Sequence, residues 1–491
     1  MGVVQEILNF PRELAGSLRM SRTQALVFFT SWWCWTLASA HFYFLPYTQP
    51  DLAKALGVET SKVAYANTTS MLSRALGAGI VGIVSDQYGC KIPLIVDLIL
   101  MGIFTLCTGF VHTYGQLVGV RFLFGMTYGG MYGVNMAAVL QAVPRHARGT
   151  VAGFTQQGFG AGNLIASGLH FGMDKYGWRP LYYLGAGLMV TAVALRIITP
   201  DYSLVGPHGN DASPDDVAHE QSSPSGKLPF WVKFRFAITR HWPIFIYCTV
   251  LTGCFNTLGH GHLDVYPSFL EIQRGLSSRH ETYVTVILQC GGVLGGIVGG
   301  YMSRYSTKWV PFGFAISLAP MLPAIILPTR WNNLAAAAFF FEFSYGAAIG
   351  NIGNILQMVC PHPGIRAAFG GVCYNLGNAI SSIAPTIETK MGDSLRTKQD
   401  TPNYGHIILI LAGIVIGLLS LTLACMPLKD VNLEWDLEDP NKVVPAHDEQ
   451  NMKMDYIGDE IQPARDIEEQ TPAKGDEHGR VEHIDQSPQK V

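Results

Sequence analysis

Long apolar stretches alternate with short polar connections along most of the chain. Twelve of these stretches run for about 18–25 residues, the length that an α-helix needs to cross the hydrocarbon core of a bilayer. They lie near residues 25–46, 63–84, 92–112, 116–139, 150–171 and 180–199, and then near 241–264, 282–303, 309–328, 332–357, 367–389 and 406–427. The pattern predicts an all-α polytopic membrane protein with twelve transmembrane helices.

A polar segment in the middle of the chain separates two sets of six spans. This arrangement predicts two pseudo-symmetric six-helix bundles, residues 25–199 and 241–427, with a substrate site between them near the bilayer midplane. Residues 200–240 are rich in Ser, Pro, Asp and His and predict a flexible linker. Lys and Arg are somewhat more frequent in the loops on the side of both termini. Residues 1–24, the linker and the polar, disordered tail 428–491 are therefore predicted to be cytoplasmic.

Composition narrows the class of protein further. Of the 491 residues, 48% are hydrophobic and only 14% are charged, which disfavours a soluble α/β protein of this length. The net charge of −3 gives nucleic-acid binding no support. The nine cysteines are scattered, mostly within apolar stretches, in neither a disulfide nor a metal-ligand pattern. We therefore expect no metal, no cofactor and no enzyme activity. Pro11, early acidic residues and the lack of a small-residue cleavage site also disfavour a removable signal peptide.

The seventh span carries the polar pattern that most directly suggests a function. Asn256, His260 and Asp264 are spaced i, i+4, i+8 and lie along one face of a continuous helix. An imidazole and a carboxylate inside a span are costly unless they line a wet pathway. We therefore predict proton coupling by His260 and Asp264, and substrate binding by Asn256. The alternative is a helix that ends near Gly259, which leaves the His and the Asp in water at its outer mouth.

Two further ionisable residues within predicted spans are candidates for the site. Arg74 in the second span offers a guanidinium fork to a carboxylate and is predicted to bind substrate, the alternative being a structural ion pair. Glu342 in the tenth span is either a proton-coupling site or the partner of Arg74 in the empty state. The eighth span repeats small residues over 291–300, which lets helix backbones approach closely, whether the helices move or stay fixed.

The connection between the second and third spans has the residues that a charged latch requires. It reads Gly82-Ile-Val-Ser-Asp86-Gln-Tyr-Gly89-Cys-Lys91, with an acid at a helix end, glycines for a tight turn and a basic residue to face the other bundle. This stretch resembles the loop signature of the major facilitator superfamily, although two of the signature's basic positions are replaced. The resemblance implies the major facilitator fold and a gating role for Gly82, Asp86, Gly89 and Lys91.

A closer resemblance covers residues 25–427. The stretch from Arg121 through Gly133, Gln156-Gln157-Gly158 and Gly177-Trp-Arg-Pro180 are similar to the fungal Jen-type carboxylate permeases, which are lactate/pyruvate:proton symporters of the sialate:proton symporter branch. Tyr374-Asn375-Leu-Gly-Asn378 resembles the eleventh span of that family, and Asn256, His260 and Asp264 match its seventh-span pattern. The resemblance implies that further residues join Arg74 and Asn256 in binding substrate, namely Arg121, Gln157, Asn375 and Asn378.

Departures from the family pattern leave alternatives open. Ala38 and His41 stand where the first span of the family usually has two Asp, and Asn375 and Leu263 replace two Gln. The expectation is a monomeric carrier, multi-pass in the plasma membrane, that moves a small mono- or dicarboxylate with a proton by alternating access. The alternatives are a carboxylate sensor that does not transport and a major facilitator carrier of another organic solute.

Overall fold

The computed structural model describes residues 12–200, 230–361, 363–397 and 402–426. The helices of the first half are α1 (Arg22–Leu56), α2 (Thr60–Tyr88), α3 (Lys91–Thr108), α4 (Tyr114–Ala142), α5 (Arg148–Gln156), α6 (Gly158–Met173) and α7 (Arg179–Ile198). Those of the second half are α8 (Phe230–Ser268), α9 (Ser278–Met302), α10 (Trp309–Ile326), α11 (Trp331–Ile349), α12 (Ile352–Val359), α13 (Arg366–Ser381), α14 (Ala384–Ser394) and α15 (Tyr404–Ala424). The fold is all-α, as predicted; the predicted tail and most of the predicted linker lie outside the described residues.

Every predicted span falls on a helix or on a pair of helices, but the fifth, tenth and eleventh spans are broken. The breaks lie at Gln157, at 350–351 and at 382–383, so each of these three spans consists of two helices. The eleventh span breaks for a covalent reason. Pro385 lies in the first turn of α14, and its ring excludes the helical position of the carbonyl of Ser381, where α13 ends.

The helix of the seventh span is longer than predicted at both ends. It begins at Phe230, inside the predicted linker, and kinks at His241 (φ −113°, ψ 22°), two residues before Pro243. It then continues through Gly259 to Ser268 and is followed by a π-helical turn, Phe269–Gln273. The alternative in which this helix ends near Gly259 is therefore wrong, and positions 256, 260 and 264 share one helical face.

The two halves repeat the same packing scheme. In the first half α1 packs on α6, α2 on α4, and α3 on α7. In the second half α8 packs on α13, α9 on α11, and α10 on α15. In terms of predicted spans, the pairs are 1 with 5, 2 with 4 and 3 with 6 in the first half, and 7 with 11, 8 with 10 and 9 with 12 in the second. Each pair of the second half is a pair of the first half with six added to both numbers, which is the relation expected of two pseudo-symmetric bundles.

Polarity follows this packing. Five helices within the described residues are long and apolar enough to cross a membrane: Lys91–Thr108, Arg179–Ile198, Arg279–Met302, Trp309–Ile326 and Tyr404–Ala424. Four of them, the predicted spans three, six, nine and twelve, have only 33–39% of the residues in their most apolar window buried, so most of their surface is left for lipid. The other spans carry more polar side chains. The number of twelve crossings stays a prediction.

The two halves meet closely at one end of the molecule, which we call the closed end; it carries residues 86–91, 143–149 and 303–308. There α13 packs on α2 and α4, and α9 packs on α5. Small residues allow this approach. A Cβ on Gly82 would overlap the backbone of Ala368, and a Cβ on Gly153 would come within 2.9 Å of Gly300 Cα.

The loop predicted to act as a latch lies at this end and joins the two halves. Asp86 Oδ1 accepts a hydrogen bond from Ala367 N at 3.0 Å, and Oδ2 accepts one from Ala368 N at 2.9 Å. These N–H groups belong to the first turn of α13 and have no partner within that helix, and the helix dipole favours an acid there. Gly89 has φ 88°, a positive value that glycine adopts without strain.

Helical residues 12–17 bridge the two halves at the closed end. Glu13 Oε2 accepts hydrogen bonds from Tyr301 Oη and Arg304 Nη2, both at 2.7 Å, on the second half. On the first half, Ser17 Oγ lies 3.2 Å from Thr150 Oγ1 at the start of α5. The segment therefore lies across the interface between α5 and α9.

Candidate functional site

A cavity of about 40 Å³ lies between the two halves. A single water needs roughly 10–15 Å³ in this measure, so in the present conformation the cavity has room for a few waters or a small ligand. Its lining combines amides, phenols, one imidazole and one carboxyl group, contributed by both halves: Gln156, Gln157, Phe159, Gly160, Asn256, Gly259, His260, Gln289, Glu342, Tyr345, Ile349 and Tyr374.

The seventh span supplies two of the predicted site residues to the cavity. Asn256 and His260 are each 6% exposed, one helical turn apart, and both line it. His260 Nε2 lies 3.4 Å from Asn378 Oδ1. Gly259, which precedes His260 in the same helix, packs against the hydroxyl of Tyr345. That hydroxyl donates a hydrogen bond to Phe255 O at 3.0 Å. The side chain of Asp264 lies outside the described part of the chain, so its predicted role stays a prediction.

Glu342 and Gln157 reach the cavity from opposite halves. Glu342 on α11 is 3% exposed and lies against α9, where a Cβ on Gly292 would come within 2.9 Å of its Cγ. Gln157 sits at the break of the fifth span and its side chain lies against Gly296, which has no side chain to exclude it. A side chain at either glycine would displace a polar group from the cavity wall.

The two amides of the eleventh span occupy different places. Asn378 lies behind His260, and its Nδ2 donates to Tyr374 O at 3.1 Å. Asn375 does not line the cavity but lies in the interface between the halves, where Nδ2 donates to Gly129 O at 3.1 Å and to Gly371 O at 2.9 Å. In this conformation Asn375 therefore joins α13 to α4.

Arg74 is fully buried within the first half, at 1% exposure, and is separated from the cavity by aromatic side chains. Its Cζ lies 4.3 Å from the ring centroid of Phe42 and 4.0 Å from that of Tyr128. Neither Nε nor Nη2 has a hydrogen-bond partner within the described residues. The rings around it form one cluster with Phe159 and Tyr374, which line the cavity: Trp35, Phe42, Tyr43, Tyr128, Tyr132, Phe159 and Tyr374.

Arg121 and His41 lie elsewhere within the first half and not on the cavity. Arg121 is 1% exposed, with Cζ 4.1 Å from the ring centroid of Phe124, and its Nε and Nη2 have no partner among the described residues. His41 Nδ1 lies 3.1 Å from Thr105 Oγ1, so this imidazole is packed between the first and third spans. The structure thus brings Asn256, Gln157, His260 and Glu342 together and keeps both arginines outside that group.

Sequence reasoning did not single out several residues of the cavity wall: Gln156, Gln289, Tyr345 and Tyr374. Gln156 donates from Nε2 to Tyr374 Oη at 3.3 Å, across the two halves. The ring of Tyr374 also stacks on Tyr132 of α4, with centroids 3.6 Å apart and planes at 12°. Two features of the sequence could have identified them: Gln156 and Tyr374 lie within the motifs that resemble the carboxylate permeases, and Gln289 is an amide inside an apolar span.

Comparison with known proteins agrees with this architecture. The family model of the Major Facilitator Superfamily matches residues 25–382. The chain is 25% identical over 430 residues, 84% of its own length and 69% of the other, to a carboxylic acid transporter protein homolog of Saccharomyces cerevisiae. It is 23% identical over 368 residues, 74% of its length and 87% of the other, to the cis,cis-muconate transport protein of Acinetobacter baylyi. The fold is similar to that of the proton:xylose symporter XylE, with a TM-score of 0.65, 14% identity, and 85% and 98% of the two chains covered.

Proposed function

The chain belongs to the Major Facilitator Superfamily, and from that premise we propose that it is a secondary active transporter that moves a small carboxylate together with a proton by alternating access. Two of the similar proteins carry names of carboxylate carriers, one for carboxylic acids and one for cis,cis-muconate. The substrate is a mono- or dicarboxylate of the lactate or pyruvate type, as in the Jen-type branch that the motifs resemble. The protein is multi-pass in the membrane, acts as a monomer and belongs to the plasma membrane, with both termini in the cytoplasm.

The observation that carries the proposal is the composition of the cavity between the halves. His260 and Glu342, an imidazole and a carboxyl group, line one small polar space together with four amides. Ionisable side chains inside a membrane protein are retained where they bind a substrate or relay a proton. His260, Glu342 and Asp264 are the candidates for proton coupling. Glu342 or His260 holds the proton while the anion is bound and releases it to the cytoplasm when the anion leaves.

Arg74 is the proposed electrostatic partner of the anion. A guanidinium removed from water needs compensation, and two aromatic faces supply only part of it. A carboxylate accepts hydrogen bonds from Nε and Nη2 in the planar geometry that arginine presents, which is the pairing these atoms lack among the described residues. The anion therefore lies between Arg74 and the amides of the cavity when it is bound.

The contacts at the closed end are those that would have to break and re-form during alternating access. In the present conformation Asp86, Asn375 and the glycine contacts of α5 and α9 hold the halves together there. Transport requires these contacts to separate while the opposite ends of the bundles approach each other. Gly82, Gly89 and Lys91 belong to the same loop and complete the proposed gate.

Uptake measurements test the proposal. Cells that lack their own carboxylate carriers are given labelled mono- and dicarboxylates at several external pH values, with the cytoplasmic pH recorded. We expect saturable uptake that rises as the external medium becomes more acidic, with one proton entering alongside the anion. Cells expressing Arg74→Gln at the same surface density serve as the control and should show only background uptake.

The two alternative functions give different results in the same cells. A sensor binds carboxylate in the purified state, seen as ligand-induced thermal stabilisation, but gives no uptake. A carrier of another solute class shows neither carboxylate uptake nor carboxylate binding. Either result would contradict the proposed symport.

A further inference from the structure

Two fully buried side-chain polar atoms of cavity-lining residues have no hydrogen-bond partner among the described residues. One is the donor Nδ2 of Asn256, on a side chain that is 6% exposed, and the other is the acceptor Oε1 of Gln156, on a side chain that is 4% exposed. Both residues line the cavity, one from each half of the protein. Buried polar atoms are nearly always paired, so an unpaired donor and an unpaired acceptor on residues that line one small cavity point to a bound group that serves both.

The Gln156 amide is hydrogen-bonded to a residue of the other half. Its Nε2 donates to Tyr374 Oη at 3.3 Å, which leaves Oε1 as the end available to a ligand. Tyr374 in turn stacks on Tyr132, so the hydrogen bond is made to a ring that is itself held in place.

A hydroxyl group is the smallest group that both accepts and donates a hydrogen bond. We propose that the transported acid carries a hydroxyl group, and that Asn256 Nδ2 donates to its oxygen while Gln156 Oε1 accepts its proton. This inference rests on the proposed carboxylate transport and narrows its substrate class to hydroxy acids. None of the described residues that line the cavity is Lys or Arg, and the remaining amides, Gln157 and Gln289, are also suited to neutral polar groups.

An acid without the hydroxyl leaves the donor and the acceptor unpaired or requires an ordered water in its place. A site built to hydrogen-bond a hydroxyl discriminates strongly against the analogue that lacks it, and a bridging water reduces that discrimination. We expect a preference of about tenfold or more in half-saturation concentration.

Matched pairs of acids test the inference in the uptake assay. The pairs are lactate with propanoate and malate with succinate, each compared in the wild type, Asn256→Leu and Gln156→Met. These substitutions remove the amide and keep the approximate size of the side chain. The measured quantity is the ratio of half-saturation concentrations within a pair, because an effect on gating or expression changes both members equally. Asn354→Leu is the control, since Asn354 is a buried amide of the same half that bonds Asn351 and does not line the cavity.

The expected result is a wild-type ratio of about ten or more in at least one pair, which falls below about three in both cavity variants and stays at the wild-type value in Asn354→Leu. A wild-type ratio near one in both pairs overturns the inference while leaving carboxylate transport intact. An unchanged ratio in both Asn256→Leu and Gln156→Met also overturns it. If no acid is taken up, carboxylate symport is refuted, and thermal stabilisation of the purified protein tests the hydroxyl site separately: stabilisation by lactate but not by propanoate that is lost in Asn256→Leu supports the site, and equal stabilisation by both acids, or by neither, overturns it.

Discussion

A single added methyl group at Gly153 should open the closed end. Gly153 on α5 faces α9 of the other half, and a Cβ built there lies 2.9 Å from Gly300 Cα and also overlaps the carbonyl of Gly296. The atoms it meets are backbone atoms, so no side chain can rotate away to relieve the overlap. The two helices must separate, and this separation is the motion that opens the interface.

The size of the effect follows from the geometry. Carbon atoms pack best about 3.5–4.0 Å apart, so the added methyl carbon would lie more than about half an ångström closer to Gly300 Cα than the optimal distance. Overpacking of this kind costs about 1–3 kcal/mol, which corresponds to a change of about 5- to 150-fold in the ratio of closed to open molecules. In the open state the new methyl group is harmless, because alanine is a better helix former than glycine. Gly153→Ala should therefore increase the population of molecules in which the two halves are separated at the closed end, without unfolding the protein.

Distances between two spin labels at the closed end measure this shift. Tyr88 at the end of α2 and Trp309 at the start of α10 are 70% and 49% exposed and belong to opposite halves, so both accept a label. Double electron–electron resonance should show a larger long-distance population in Gly153→Ala than in the wild type. Gly168→Ala on α6 is the control, because a Cβ there meets nothing within 4 Å. The reasoning fails if the two variants give the same distance distribution.

Further predictions concern the charged groups. Arg74→Lys keeps the charge but loses the planar fork, so the half-saturation concentration for uptake should rise about tenfold with unchanged surface expression; unchanged kinetics would move the anion site to Arg121. His260→Ala should reduce acid-stimulated uptake, and full proton-coupled uptake in this variant would move the coupling site to Glu342. The hydrogen bonds from Arg304 and then Tyr301 lower the pKa of Glu13 below its ordinary 4.5. A lowered pKa means that this contact stabilises the closed end above pH 4.5 and is lost as the pH falls through the lowered value. In the wild type, the population of molecules with a closed end should therefore fall as the pH drops below 4.5. In Glu13→Gln this population should be lower at neutral pH and should fall less on acidification; an equal fall in both proteins would show that Glu13 is not the group responsible.

Periodicity and composition were sufficient to predict the architecture. Apolar runs of the right length give the positions of the spans, and the polar segment between two sets of six gives the two halves. The breaks in the spans were harder to predict, because two of the three lie at glycines and amides whose effect depends on the neighbouring helix. The break before Pro385 is different, because its cause is local and covalent. It could have been predicted from the sequence.

The spacing of polar residues along the sequence predicted part of the candidate site. Spacing alone places Asn256 and His260 on one face, and the structure shows both on the cavity. Spacing carries no information about which other helices face them, so Gln156 of the first half and Tyr374 of the second were not selected. Asn375 illustrates the opposite case: its motif suggested a cavity residue, but its amide bonds the backbone of Gly129 across the interface. A polar residue in a span therefore serves either the ligand or the neighbouring helix, and only the fold distinguishes the two.

The position of Arg74 suggests how binding is coupled to movement. A cation–π contact contributes about 2 kcal/mol or more when it is desolvated, whereas removing an ion from water costs several kcal/mol. The arginine is therefore left partly uncompensated behind the ring cluster, and a carboxylate offsets the remainder only if it passes that cluster. Tyr374 lines the cavity and stacks on Tyr132 of the other half, so parting the cluster at this point also loosens the interface between α4 and α13. We infer that the attraction between the anion and Arg74 provides the free energy that separates the halves at the closed end.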